Sequence, residues 1–88
     1  MNVEFRKSFE KDLNNLRDES LMQRIQAVIE EVEEAENLGY LSNLKKVKAD
    51  GNYYRIRVGD YRIGMAVEEN IVIFVRVLHR KEVYRYFP

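Results

Sequence analysis

The chain of 88 residues is 45% hydrophobic and 34% charged, which predicts a single domain over residues 1–88. Its 15 Lys and Arg side chains balance its 15 Asp and Glu side chains, which excludes a uniformly basic nucleic-acid coat and an acidic tail. The absence of cysteine and the single His exclude a disulfide framework and leave too few ligands for an ordinary zinc site, so we expect no metal or cofactor.

The first third of the chain predicts a short strand followed by two helices. Residues 3–6 form the strand, with Val3 and Phe5 on one face. Ser8 is a suitable N-cap for a first helix, whose apolar stripe is Phe9, Leu13 and Leu16.

The second helix has the most regular apolar stripe in the sequence. Its members recur at helical spacing and are Leu21, Ile25, Val28, Val32 and Ala35. Ser20 followed by Gln23 predicts a capping box at its start, and Gly39 predicts a left-handed residue just past its end.

From Lys45 onward the hydrophobic period changes from 3.6 to 2, which indicates strands. Residues 53–58 alternate an apolar face with one carrying Arg55 and Arg57, and a Gly59-Asp60 hairpin leads into residues 61–67. Residues 71–78 are apolar at nearly every position, which predicts a central strand buried on both faces. The predicted fold is α+β, in the order β-α-α-β-β-β, with two helices on one face of a twisted, mainly antiparallel four-stranded sheet and a short C-terminal helical segment.

Positive charge is concentrated in the second half of the chain. Residues 1–43 carry a net charge of −5 and residues 44–88 a net charge of +5. Strand alternation places Arg55, Arg57 and Arg62 on the sheet face opposite the helices. Nearby basic and aromatic residues complete a candidate RNA-binding surface: Lys45, Lys46, Lys48, Tyr53 and Lys81. The same pattern is also typical of an exposed sheet face that carries Arg and Tyr for solubility and cross-strand pairing.

Two segments, YRIRVGDYRI at residues 54–63 and HRKEVY at residues 79–84, resemble the RelE/ParE superfamily of bacterial toxin–antitoxin toxins. The resemblance covers nearly the whole chain and implies the small fold predicted above. RelE-like members cleave messenger RNA in the ribosomal A site, whereas ParE-like members poison DNA gyrase. The resemblance therefore implies a toxin, and it leaves open whether the target is messenger RNA on the ribosome or DNA gyrase.

The resemblance also implies a set of catalytic residues. The basic residues around the hairpin are matched by Arg55, Arg57 and Arg62, the Arg at the end of the last long strand by Arg80, and the C-terminal Tyr by Tyr84. In RelE-like toxins this set drives attack of a ribose 2′-hydroxyl on the adjacent phosphodiester and leaves a 2′,3′-cyclic phosphate, without a metal.

Charge stabilisation and proton transfer need different side chains. The guanidiniums of Arg62 and Arg80 are suited to stabilise the negative charge that builds on the nonbridging phosphate oxygens in the transition state. Arg55 and Arg57 stand where Lys is usual, and Arg does not lose its proton, so neither suits the role of general base. The candidates for proton transfer are His79 and Tyr84. Each residue also has a purely structural interpretation. His79 could lie at the end of its strand with its ring bonded to a backbone carbonyl, and Tyr84 could anchor the C-terminal segment by packing.

The preferred interpretation is a ribosome-dependent messenger-RNA endonuclease. The alternatives are a ParE-like gyrase inhibitor and a degenerate member that only binds its antitoxin. The resemblance implies as partners a cognate antitoxin protein, the ribosome with its messenger RNA, and operator DNA only through the antitoxin.

The sequence also predicts where the protein works. The longest apolar run, residues 71–75, is far shorter than the roughly 20 residues that span a bilayer, and residues 1–4 lack the apolar segment of a signal peptide. We therefore expect a cytoplasmic protein without membrane contact.

Overall fold

A computed structural model describes residues 1–47 and 51–88. Its strands are β1 Asn2–Phe5, β2 Leu44–Lys46, β3 Tyr53–Val58, β4 Tyr61–Glu68 and β5 Ile71–His79. Its helices are α1 Lys7–Asn14, α2 Glu19–Glu34 and α3 Val83–Tyr86, and a 3₁₀ turn spans Leu38–Tyr40. The α+β class and the element order agree with the prediction, apart from one additional strand.

The sheet has five strands in the order β1-β5-β4-β3-β2 rather than the four predicted. The extra strand, β2, is only three residues long, which is too short to show an alternating pattern in the sequence. Its extended conformation is stabilised by antiparallel pairing with β3. The β1–β5 pair is parallel and the other pairs are antiparallel. The middle strand is therefore β4, and the prediction that β5 is central is wrong. Burial of β5 on both faces is confirmed, because Ile73 and Phe74 are both buried.

The helices α1 and α2 cover one face of the sheet and enclose the main core. Members from both layers are fully or almost fully buried: Phe9, Ile25, Val32, Ile63, Met65, Val72 and Phe74. The positive φ of Gly59, 59°, confirms the predicted hairpin residue. No helix among the described residues is long and apolar enough to cross a membrane.

The predicted helix ends need three corrections. The α2 cap is Asp18, whose carboxylate accepts a hydrogen bond from the Leu21 amide at 3.1 Å; a negative charge there also complements the helix dipole. Ser8 lies inside α1, and its hydroxyl donates to the Val75 carbonyl at 2.6 Å, which a β-bulge leaves without a partner in β4. Because α2 ends at Glu34, Gly39 lies in the 3₁₀ turn instead of capping the helix.

The C-terminal segment packs on the sheet face opposite α1 and α2. Val83 and Phe87 are buried there with Leu78, and the side chains of Val47 and Val75 pack against them. Phe87 lies directly over Gly64, where an added Cβ would come within 2.7 Å of the Phe87 ring. The close approach of this ring therefore requires glycine in β4, and it anchors the segment that carries Tyr84.

Candidate functional site, a cationic groove beside the C-terminal helix

The pairing of three strands brings the basic side chains of the site together. Arg57 lies directly opposite Arg62 across the β3–β4 pair, and Lys45 lies opposite Arg55 across the β2–β3 pair. Residues directly opposite each other project to the same face of a sheet, so all four share the face away from α1 and α2. Like charges placed opposite each other destabilise a sheet, which favours an anionic ligand between them.

These side chains line a groove of about 340 Å³. Its lining residues are Asn43, Leu44, Lys45, Arg55, Arg57, Arg62 and Tyr84. Asn43 and Leu44 were not predicted as members of the site. Asn43 has a positive φ of 60°, and its carbonyl accepts a hydrogen bond from the Arg57 amide at 3.2 Å. Asn adopts a positive φ more readily than most residues, so the Asn just before the short strand was the sequence signal for a turn at this position.

Arg55 and Tyr84 form the closest contact in the groove. The guanidinium of Arg55 is 4.7 Å from the centroid of the Tyr84 ring, within the range of a cation–π interaction. Arg55 is only 8% exposed, whereas Tyr84 is 78% exposed. A buried cation therefore supports a phenol that remains open to a large ligand.

The pKa of Tyr84 is lowered from its usual value of 10.0. The main cause is the Arg55 guanidinium, through its polar contact with the phenol and then its charge, and Lys45 and Arg62 add smaller contributions. Positive charge stabilises the phenolate. The phenol of Tyr84 is consequently a better proton donor than that of an ordinary tyrosine.

Arg62 is fixed at the other side of the groove by the hairpin. Its Nη1 donates to the Gly59 carbonyl at 3.0 Å and to the Tyr61 carbonyl at 2.9 Å. Since a guanidinium has five N–H groups, Nε and Nη2 keep donors for a ligand. The two backbone contacts hold this cation in place before any ligand binds.

The groove has the electrostatics of an anion site. Within residues 1–47 and 51–88 the ion pairs are Asp12 with Arg76 and Asp60 with Arg80, and neither includes a groove cation. Four clustered cations repel a divalent metal ion and attract phosphate. The arrangement can hold a phosphodiester between guanidiniums while the Tyr84 phenol approaches it.

His79 and Arg80 lie apart from this groove. A β-bulge between Gly64 and Met65 shifts the β4–β5 register, and His79 packs edge-on against Tyr61 with ring centroids 5.4 Å apart. Its Nδ1 accepts a hydrogen bond from the Lys81 amide at 3.1 Å, in place of the backbone carbonyl contact considered above. The exposed Arg80 has its Nε 3.8 Å from a carboxylate oxygen of Asp60.

The predicted RNA-binding residues also separate. Lys45 faces the groove, whereas Lys46 lies opposite Tyr54, whose side chain packs against the main core on the helix side. Tyr53 packs edge-on against Phe87 at 5.8 Å between ring centroids, and Lys81 is exposed beyond the end of β5. Lys48 lies outside the described residues.

Comparison of the sequence with known proteins identifies the family of this chain. Residues 3–84 match the family described as the ParE toxin of type II toxin–antitoxin system, parDE. The chain is 48% identical over 89 residues to Toxin RelE3 of Methanocaldococcus jannaschii, with 100% of each protein covered.

Solved structures have the same fold. The RelB-RelE antitoxin-toxin complex from Methanococcus jannaschii contains a chain that matches with a TM-score of 0.82 and 46% identity, covering 98% of this chain and 100% of that one. The archaeal RelE-RelB complex from Pyrococcus horikoshii matches with a TM-score of 0.72 and 22% identity, over 90% and 93% of the two chains. These findings confirm the resemblance seen in the sequence: the chain belongs to the RelE/ParE superfamily and is a RelE-like toxin of a toxin–antitoxin pair.

Proposed function

We propose that this toxin is a ribosome-dependent messenger-RNA endonuclease whose cationic groove holds the scissile phosphodiester. The observation that carries the proposal is the Tyr84 phenol held against the Arg55 guanidinium at the edge of a groove that also contains Arg57 and Arg62. A proton donor of lowered pKa beside fixed guanidiniums suits cleavage of an RNA backbone.

In the proposed reaction a ribose 2′-oxygen forms a bond to phosphorus while the bond from phosphorus to the 5′-oxygen breaks. A base takes the 2′-hydroxyl proton, and Tyr84 donates a proton to the leaving 5′-oxygen. Negative charge that builds on the nonbridging oxygens is stabilised by Arg62 and Arg57. The products are a 2′,3′-cyclic phosphate and a free 5′-hydroxyl. His79 faces the helix side of the sheet, so we assign it a packing role against Tyr61 rather than proton transfer.

We also propose a cognate antitoxin as the partner that holds the toxin inactive. Support comes from the relatives crystallised as antitoxin–toxin complexes, one of them 46% identical to this chain. Operator DNA would be reached only through that antitoxin. A toxin that acts on messages engaged by ribosomes works in the cytoplasm.

The test is single-turnover cleavage of a message on programmed ribosomes, with a gyrase supercoiling assay in parallel. We expect cleavage only when ribosomes are present, and a loss of roughly 100-fold or more in the cleavage rate of Tyr84→Phe, since this variant keeps the ring but not the proton. The control is Tyr40→Phe, which changes a tyrosine that is 67% exposed and lies outside the groove. Inhibition of supercoiling with an intact message would instead favour a gyrase inhibitor, and a wild-type rate in Tyr84→Phe would overturn the assigned role.

A further inference from the structure

The short helix α3 has contacts on three sides. Val83 and Phe87, one helical turn apart, are buried against the sheet. Residues at this spacing lie almost on one line along a helix, so these two anchors do not fix its rotation about its own axis. Tyr84 and Tyr86 are two residues apart, which is roughly 200° around the helix, so they project to opposite sides. The contacts of the two tyrosines therefore set the rotation of α3.

A guanidinium lies against each of these tyrosines. Arg55, on β3, contacts Tyr84 at the edge of the cationic groove. On the other side of the helix, the guanidinium of Arg76, on β5, is 5.9 Å from the centroid of the Tyr86 ring, within the range of a cation–π interaction. Arg85 is 5.8 Å from the same ring, but it belongs to α3 and moves with it. Arg76 therefore connects the far side of α3 with the sheet.

Arg76 is held in turn by helix α1 at the edge of the sheet. The pairing of β1 with β5 ends at Phe74, and Asp12 of α1 contacts the edge of β5 beyond it. The Asp12 carboxylate accepts hydrogen bonds from Arg76 Nε at 2.7 Å, from its Nη2 at 3.1 Å and from the Val77 amide at 3.0 Å. The two side chains are only 26% and 12% exposed for Arg76 and Asp12, so water screens the pair weakly. A two-pronged contact of this kind fixes the plane of the guanidinium as well as its position.

We propose that Arg76, held by Asp12, is a positioning residue of the cleavage site, which sets the rotation of α3 and thereby directs the Tyr84 phenol into the cationic groove. This inference rests on the proposed endonuclease. The hydrogen bond to Asp12 raises the pKa of Arg76, and the nearby Glu82 and Tyr86 add smaller contributions in the same direction. The contacts run from α1 on one face of the sheet, past the edge of β5, to α3 on the opposite face.

The substitution Asp12→Asn tests the inference at a residue remote from the groove. It removes the two-pronged contact, and single-turnover cleavage on programmed ribosomes should slow by roughly 10- to 100-fold, since a displacement of about 1 Å is sufficient for the larger loss. Ribosome binding should be nearly unchanged, because the groove cations are intact. The pKa of Tyr84, followed by NMR of labelled tyrosine and assigned with Tyr84→Phe, should rise towards 10.0 as the phenol leaves Arg55. The matched control is Glu10→Gln, which removes an exposed carboxylate from the same helix.

Substitutions at Arg76 identify the cation that acts. Arg76→Gln should reproduce both effects, and adding Asp12→Asn to it should slow cleavage no further, because the two residues act as a unit. Arg76→Lys should recover part of the rate, since an ammonium keeps the charge but not the two-pronged contact. Tyr86→Leu is the second variant if loss of the ion pair disrupts folding, because Tyr86 is about half exposed. It should also slow cleavage and raise the pKa of Tyr84.

The outcomes separate this inference from the proposed function. A lower Tm in Asp12→Asn with a wild-type cleavage rate would make the ion pair purely structural and overturn the inference. Slower cleavage with an unchanged Tyr84 pKa would also overturn it, because the phenol would not have moved, and so would wild-type values of both in Tyr86→Leu. Absence of ribosome-dependent cleavage by the wild-type protein would overturn the endonuclease, whereas the titration of Tyr84 would still decide whether Arg76 positions the phenol.

Discussion

The substitution Gly64→Ala tests how the fold holds Tyr84, the proposed proton donor. Gly64 lies on β4 beneath the Phe87 ring, and Phe87 follows closely after Tyr84 in the C-terminal segment. A methyl group at position 64 would push on the ring without touching the cationic groove directly. We therefore expect Tyr84 to lose its position against Arg55 while the rest of the sheet stays folded.

The size of the effect follows from the contact distances. An added Cβ would lie 2.7 Å from two Phe87 ring atoms, and ordinary carbon contacts are about 3.5–4.0 Å, so the ring must withdraw by about 0.8 Å or more. Overpacking of this kind costs about 1–3 kcal/mol of unfolding free energy. Displacement of a catalytic group by about 1 Å is sufficient to slow a reaction by roughly 100-fold.

Three measurements check this expectation: thermal unfolding, single-turnover cleavage on programmed ribosomes, and a spectroscopic titration of Tyr84. We expect a modest fall in Tm, a loss of cleavage of roughly 100-fold, and a Tyr84 pKa that rises towards its usual value of 10.0 as the contact with Arg55 is lost. The control is Gly39→Ala, where the added Cβ would meet the side-chain oxygen of Asn37, which caps the 3₁₀ turn outside the cationic groove.

A second variant isolates the contact itself. In a Phe87→Ala background the ring is absent, so Gly64→Ala should have little additional effect on stability, whereas independent sites would show additive costs. A wild-type Tm together with a wild-type cleavage rate in Gly64→Ala would refute the reasoning. Equal losses of ribosome binding and of cleavage would also refute it, because the groove cations should still bind RNA.

The other predictions concern charge and proton transfer. Lys45→Gln should make the slope of log binding constant against log salt concentration shallower by roughly 0.7 per lost phosphate contact in ribosome binding. Lys46→Gln, the same change one residue along the chain, should leave that slope unchanged. Equal slopes for the two variants in filter-binding titrations would argue against a localised surface. Arg62→Ala should slow the cleavage step by roughly 100- to 1000-fold, and Arg62→Lys should recover only part of it, because an ammonium does not reproduce the two-pronged contact; full activity in Arg62→Ala would move the site elsewhere. The cleavage rate should fall as pH rises through the lowered pKa of Tyr84, because an acid must be protonated, and Arg55→Gln should move that fall to higher pH. A pH–rate profile that is the same in both proteins would exclude Tyr84 as the acid.

Local patterns in the sequence were sufficient for most of the fold and for the three arginines of the site. Alternation along residues 53–58 and a Gly59-Asp60 turn fix which side chains share a face, because strand geometry repeats every two residues. The structure accordingly has Arg55, Arg57 and Arg62 together in one groove. The apolar stripe of α2 likewise identified a helix that packs on the sheet.

Only the tertiary structure decided which of the remaining candidates join the site. The bulge beside Gly64 displaces the alternation along β5 and leaves His79 against Tyr61, and the register of β2 directs Lys45 rather than Lys46 into the groove. Both features depend on the register with the neighbouring strand, which the two-residue period of a single strand does not encode. Tyr84 reaches Arg55 because Val83 and Phe87 bury themselves on the sheet, a contact between segments far apart in the chain. The sequence by itself therefore determined the cationic face, and long-range packing placed the Tyr84 phenol beside it.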